Sequence, residues 1–369
     1  MAAYLIKRLL LIIPTLIGVL TLTFLLAQFA PGGPVEKIMA QLTNTDVSAT
    51  ARFGGGSGGD GVSAGAAAPG GEAVGSKYRG SQGLDQKFIE DLKKQFGFDR
   101  PWYERYGKLL YDFVRFDFGR SYYRDVTVIQ LIKEKLPVSI SLGIWMLLAT
   151  YLISIPLGIR KAVQDGSRMD VWSSGALVLG YAIPGFLFAV LLIVVFAGGS
   201  FFQWFPRRGL TSDDWSQLST LGKITDYFWH LVLPLIAMAV GSFTTMTFLT
   251  KNSFLDEIRK QYVITARSKG LSEGRVLYGH VFRNALLIVI AGFPSAFVSA
   301  FLTGSLLIEQ IFSLDGMGLL GFEALVNRDY PVVFATVYIY ALIATVLHVV
   351  SDFIYTLVDP RIDFETREV

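Results

Sequence analysis

Few residues in this chain could do chemistry, and they stand in apolar surroundings. Glu309 lies in the run Leu306-Leu-Ile-Glu-Gln-Ile-Phe312, where a carboxylate needs a partner because burying its charge is expensive. A structural ion pair and a contact with a bound substrate are both open readings for it. His348 and Asp352 stand four apart and would share one helix face, which allows either a proton relay or a carboxylate satisfied near a helix end. Metal chemistry has little material: the chain has no cysteine, and its three histidines, His230, His280 and His348, are far apart in sequence. Phosphate chemistry has none either, since Gly107-Lys108 and Gly222-Lys223 are followed by Leu and Ile rather than by the Ser or Thr of a phosphate-cradling loop.

The elements that must hold these residues are membrane helices. Of the 369 residues 52% are hydrophobic and 17% charged, with mean hydropathy +0.47. Six intervals free of Asp, Glu, Lys and Arg, 9–35, 136–159, 171–206, 227–250, 284–308 and 330–351, reach the roughly 20 residues that a helix needs to span a bilayer. The third should end early, near Gly198-Gly199. The first opens on Lys7-Arg8 like a signal peptide, but it runs on without a small-x-small cleavage pattern and is read as retained. With the N-terminus inside, the inner loops hold fourteen Lys and Arg and the short outer loops only Arg207, Arg208, Lys223 and Arg328, so both termini are expected to be cytoplasmic. The net charge of +3 is mild and gives no reason to invoke nucleic acid.

Three regions follow: a spanning helix in 1–35, an outer segment in 36–135, and a five-helix core in 136–369 with a cytoplasmic loop at 251–283. Within the outer segment, residues 54–83 hold twelve glycines in thirty positions, and 43–83 is expected to be a flexible loop. Over 84–135 interfacial helices are expected. Asp85 could cap one bearing Phe88, Leu92 and Phe96, and Pro101 could open another through Trp102, Tyr106, Leu109, Leu110 and Phe113. Nine aromatics between Trp102 and Tyr123 suit a membrane elbow or a docking surface for a delivering protein.

The loop 251–283 is the most informative stretch, with seven basic and three acidic residues. Phe254, Ile258, Tyr262 and Ala266 recur every fourth position, which predicts one helix from Ser253 to Lys269. Gly270 suits a left-handed stop, and Ser272 can cap a second helix running into the fifth span. Two readings stay open: a basic amphipathic helix resting on anionic lipid, and a rigid lever that a partner could grip.

The run from Tyr262 to Ser272, followed by His280-Val-Phe-Arg-Asn-Ala-Leu286, resembles the coupling loop of permease subunits in binding-protein-dependent ABC importers, in its peptide variant. Thr265-Ala266-Arg267 stands where the general pattern has Glu-Ala-Ala. Further stretches are similar to the same oligopeptide/dipeptide permease family: Phe96-Gly-Phe-Asp-Arg-Pro101, Phe116-Asp-Phe-Gly-Arg-Ser121, Leu136-Pro-Val-Ser-Ile-Ser-Leu142, Gly304 to Phe312 with Gly316-x-Gly318, and Asn327-Arg-Asp-Tyr-Pro331. Lys161-Ala-Val with Gly166-Ser-Arg-x-Asp-Val-Trp172 and the ending Tyr355 to Phe364 resemble the subgroup that takes up oligopeptides and the peptide-nucleotide antibiotic microcin C.

The resemblance implies an all-α integral membrane protein of six spanning helices with the type I importer permease fold and a long periplasmic segment between the first two spans, in a bacterial inner membrane. It implies as partners a second, different permease, an ABC ATPase and a periplasmic peptide-binding protein, with membrane lipid around them. This chain would then be no enzyme and hold no cofactor, because ATP and Mg would be bound by the ATPase. Contact with the ATPase would fall to Glu257, Tyr262, Thr265, Ala266, Arg267, Lys269, Gly270, Leu271 and Ser272.

For the translocation path the candidates are Ser295, Ser299, Thr303 and Glu309. The first three run beside a line of small residues, Gly292, Ala296, Ala300 and Gly304, in the fifth span. A face of that kind meets a neighbouring helix or a cavity rather than lipid. Two readings from other classes compete: a proton-coupled secondary transporter working through Glu309 or Asp352, and a non-transporting membrane anchor. Neither accounts for the helix-glycine-helix lever.

Overall fold

The computed structural model describes residues 2–29, 33–42, 87, 89–90, 94, 98–199, 201–302 and 306–358. The expected flexible loop at 43–83, most of the helix expected after Asp85, Thr303 and the ending beyond Val358 lie outside the described residues. What is described is helical: α1 Ala2–Phe29, α2 Pro34–Leu42, α3 Trp102–Val114, α4 Val128–Val163, α5 Arg168–Ala182, α6 Gly185–Phe196, α7 Thr220–Ile258, α8 Gln261–Ser268, α9 Glu273–Val276, a π-turn Leu277–Val281 running into α10 Phe282–Leu302, then α11 Leu306–Ile311, α12 Met317–Asn327 and α13 Tyr330–Val358.

Five of the described helical segments are long and apolar enough to cross a bilayer: Lys7–Phe29, Val128–Val163, Thr220–Ile258, Glu273–Val298 and Tyr330–Phe353. The third expected span is not a straight helix. α5 and α6 meet at an angle of 99°, so the sixth crossing exists only if this bent pair is counted as one. The cause is local. Pro184 has no N–H to give a helix and crowds the residue before it, and Ile183 accordingly sits extended at φ −85, ψ 122. Pro137 and Pro156 inside α4 and Pro234 inside α7 do not end their helices.

The described residues fall into two compact units. One comprises Met1–Leu16, Ile132–Leu320 and Ile339–Val369. It has two apolar cores spaced along α4 and α7. The first gathers Leu142, Ala189, Leu192, Leu231, Leu233, Ala237, Ile308 and Phe312. The second, seventeen positions further along α4, gathers Ile159, Ala162, Phe254, Val263, Ala266, Val276, Val281, Ala285 and Val289. At a rise of about 1.5 Å per residue, that spacing sets the two cores roughly 25 Å apart along the helix. Large apolar side chains such as Leu152, Ile153, Leu179 and Leu187 are left exposed, which suits lipid or a partner helix.

The other unit comprises Ile17–Leu131 and Gly321–Tyr338. Pro101 stands directly before α3, which turns two of its aromatics inward and leaves Trp102, Tyr103 and Tyr111 exposed: Tyr106 packs on Phe24 and bonds the Thr21 hydroxyl at 2.5 Å, and Phe113 packs edge-on to Phe118 and Tyr338. The carboxylate of Asp329 is buried. It accepts hydrogen bonds from the Ser121 hydroxyl and, at 3.1 Å, from the Tyr122 N–H, while burial pushes its pKa up against those bonds.

Candidate functional site

The loop 251–283 folds as an elbow, but not from the single helix expected over 253–269. α7 runs past the apolar stretch to Ile258; Lys260 then turns extended at φ −75, ψ 151, and α8 starts at Gln261. The break is held by Glu257, whose carboxylate accepts the Tyr262 hydroxyl at 2.7 Å and an ion pair from Lys260. It also changes which residues face inward. A continuous helix would align Phe254, Ile258, Tyr262 and Ala266, whereas the fully buried residues are Phe254 and Val263, with Ala266 beside them. Ile258 and Tyr262 remain at the edge of the core, and burial there raises the Tyr262 phenol.

α8 ends in a left-handed glycine, as its sequence predicts. Gly270 has φ +78, its N–H reaches the Arg267 carbonyl at 2.9 Å, and the Leu271 N–H reaches the Ala266 carbonyl at 3.4 Å. This pair of bonds, with Leu271 folded onto the core that holds Ala266, is the Schellman closure that glycine makes possible. Ser272 takes the capping position of α9 with extended backbone, although its side chain makes no cap bond. Across the turn, the Arg267 guanidinium forks onto Glu273, Nε to Oε1 at 2.9 Å and Nη2 to Oε2 at 3.0 Å. Thr265, Lys269 and Gly270 are exposed on the outside of the elbow, together with Ile264. Beneath it, the Ser253 hydroxyl donates to the Ala285 carbonyl at 2.5 Å and joins α7 to α10.

Of the pathway candidates, only Ser295 and Glu309 have side chains among the described residues. Ser295 is exposed on α10, Thr303 lies outside the described residues, and so does the side chain of Ser299. A Cβ built on Gly292 would meet nothing within 4 Å, so among the described residues no neighbouring helix uses that small-residue position for close approach.

Glu309 is 1% exposed, and of the two readings open for it the ion pair finds no cation among the described residues. Its carboxylate accepts from the Ser139 hydroxyl at 3.3 Å and from the Leu319 N–H at 2.7 Å, with the Gly318 N–H as a further donor. These N–H groups belong to the first turn of α12, where unpaired donors and the helix dipole favour an anion. Burial nonetheless raises the Glu309 pKa. The chain approaches so closely that a Cβ on Gly316 would stand 2.5 Å from one carboxylate oxygen. Asp352, the other candidate, is paired with Arg8 at 2.7 Å, and His348 points outward.

One buried cluster was not anticipated from the sequence. Lys161 is fully buried and binds Asp170, which also receives Lys251. Separations of 9 and 81 residues obey no helical or strand period, so pattern reading could not pair them. The signal available was the presence of charges at the very ends of three apolar intervals.

Residues 154–364 match the family model of the binding-protein-dependent transport system inner membrane component. The chain is 60% identical to a peptidoglycan transport system permease protein YejB of Agrobacterium fabrum and 58% identical to an inner membrane ABC transporter permease protein YejB of Escherichia coli O157:H7, in both cases over the full length of each chain. It is 33% identical to an oligopeptide transport system permease protein AppB of Bacillus subtilis over 99% of this chain and 100% of that one. With its helical described residues, its apolar spans and the elbow that joins Thr220–Ile258 to Glu273–Val298, the chain belongs to the transmembrane permease subunits of binding-protein-dependent ABC transport systems.

Proposed function

We propose that this chain is one translocation half of an ATP-driven importer that carries oligopeptides inward, peptide-bearing fragments of peptidoglycan and microcin C among them. The names of relatives over the range from 60% to 33% identity, peptidoglycan and oligopeptide transport, share a peptide backbone as the common chemistry. The partners are a second permease of the YejE type, an ABC ATPase of the YejF type that binds ATP and Mg, and a YejA-type periplasmic peptide-binding protein. Ser295 is exposed on α10, and together with Ser299 and Thr303, which follow it at fourth positions in sequence, it would offer the second permease a mildly polar path. Fixed charge there would select among side chains that a peptide carrier has to tolerate. The pairing of Arg8 with Asp352 supports both termini lying on one side, and the distribution of Lys and Arg makes that side cytoplasmic.

The observation that carries this reading is the elbow itself. Gly270 closes α8 against α9 over a core that continues into α7 and α10, so force applied to Thr265, Arg267 or Lys269 must move two spans together. ATP-dependent closure of the ATPase would push this elbow and rock the spans between outward-open and inward-open states. The test is purification of the assembled complex in mild detergent and uptake of a labelled alanine tetrapeptide into proteoliposomes. The expected result is co-purification of an ABC ATPase and uptake that requires ATP, both lost in Gly270→Pro. Uptake that persists without the ATPase and follows a proton gradient would overturn the proposal.

A further inference from the structure

Lys161, near the end of α4, has no exposed surface at all, and its ammonium donates to the Asp170 carbonyl at 2.8 Å and to the Ser173 and Ser174 hydroxyls at 2.7 Å each. It also lies 3.0 Å from the Asp170 carboxylate. That carboxylate, in the first turn of α5, takes two contacts from Lys251 of α7, at 3.0 and 2.8 Å, and one from the Gly166 N–H at 3.1 Å. Lys251 reaches on to Asp165 in the α4–α5 turn at 2.8 Å. Two lysines and two carboxylates thus balance each other, with nearly every donor satisfied and no charge left over for a ligand.

A buried ion pair is weak evidence of stability, because apolar side chains of the same volume usually serve as well. What it provides is a fixed register, since its bonds have direction. The surroundings point the same way. A Cβ on Gly158 of α4 would lie 2.6 Å from Thr250 Cβ and 2.8 Å from the Thr247 carbonyl, so α4 and α7 already meet backbone to backbone beside the cluster. Lys251 stands two residues before Ser253, which ties α7 to α10, and three before Phe254, the buried residue beneath the elbow.

We propose that Lys161, Asp170 and Lys251 are positioning residues for energy coupling: they join the ends of α4, α5 and α7 into one body, so that displacement of the elbow reaches α4 and α5 as well as α7 and α10. The inference rests on the ATP-driven reading above and adds to it the joint through which the work spreads.

The discriminating variant is Lys251→Met. It removes the α7 tie and leaves the buried Lys161–Asp170 pair intact, so the protein should still fold and assemble. In proteoliposomes of the whole complex, ATP hydrolysis should stay within about twofold of wild type while alanine-tetrapeptide uptake per ATP falls about tenfold. Because the chain has no cysteine of its own, Asp165→Cys with Lys251→Cys can be bridged by a short bis-maleimide, and bridging should restore uptake per ATP where the Lys251→Cys single variant treated alike does not recover. An unchanged ratio in Lys251→Met would overturn the joint, as would a proportional loss of hydrolysis and uptake. If wild type itself shows no ATP-dependent uptake, it is the importer reading that fails.

Discussion

Arg267 and Glu273 face each other across the Gly270 turn, with both guanidinium contacts at or below 3.0 Å, so a single charged fork spans the corner that α8 and α9 make. Both side chains are substantially exposed, and pairs of that kind contribute about 0.2–1 kcal/mol. The fork therefore serves to set the corner more than to stabilise the fold. Arg267→Glu should leave the thermal midpoint of the purified complex within a few degrees of wild type and should sharply reduce ATP-driven uptake. Adding Glu273→Arg should restore the fork and much of the transport. A double variant as inactive as Arg267→Glu alone would mean that Arg267 works on the partner and not on the corner.

Gly270 carries a harder constraint. At φ +78 a side chain meets its own backbone, at a cost of roughly 1–2 kcal/mol. Gly270→Val should lower the stability of the complex by about that amount and weaken the proposed docking of an ATPase on the elbow, whereas Gly270→Asn, which tolerates the left-handed region better, should retain more of both. Thermal unfolding and co-purification would measure the two effects. Equal behaviour of Asn and Val would contradict the conformational explanation.

At the other core, Gly316 leaves room for the Glu309 carboxylate. Gly316→Ala should force that carboxylate off the α12 donors and destabilise by about 1–3 kcal/mol, as overpacking does. With Glu309→Ala also present, the added methyl should meet little resistance, so the double variant should lose clearly less than the sum of the two single losses. Additive losses in a thermal-unfolding cycle would show that the two positions do not touch.

Glu309 also predicts a pH dependence with a definite sign. Burial raises its folded pKa above the ordinary 4.5, so the folded state binds the proton more tightly than the unfolded state. The stability linked to this group is therefore full below about 4.5 and is lost as pH rises through the raised value. Relative to Glu309→Gln, wild type should be most stable in mild acid and should lose ground steadily toward neutrality. The midpoint difference between the two proteins, followed in detergent from pH 4.5 to 8, checks this, and a difference that grows with pH would refute it.

Much of the molecule could be read from residue order because the bilayer imposes so strict a rule. Charge-free intervals of twenty or more residues have one low-energy form in lipid, and the helices lie where those intervals are. Gly270 was legible for a similar reason: a glycine after an amphipathic stretch, followed by a capping serine, has few alternatives. Two local forecasts did not hold. The fourfold repeat Phe254, Ile258, Tyr262, Ala266 suggested one helix, but Glu257 accepting Lys260 and Tyr262 favours a break that buries Val263 instead. The charge-free interval from 171 to 206 read as one span, and although Pro184 marked a place where it could kink, the spacing did not show that the chain would turn through 99° there.

Composition and spacing by themselves determined that this chain is a helical membrane protein, where its charged elbow lies, and, through resemblance, which family it joins. Those are local properties: each depends on a residue and its neighbours within a turn or two. Only the tertiary structure decided that Glu309 binds the first turn of α12 rather than a cation, that Asp352 belongs to Arg8, and that Lys161, Asp170 and Lys251 form one buried cluster. A buried charge takes whichever partner the packing of distant helices brings within about 3 Å, and a one-dimensional pattern contains no record of that distance.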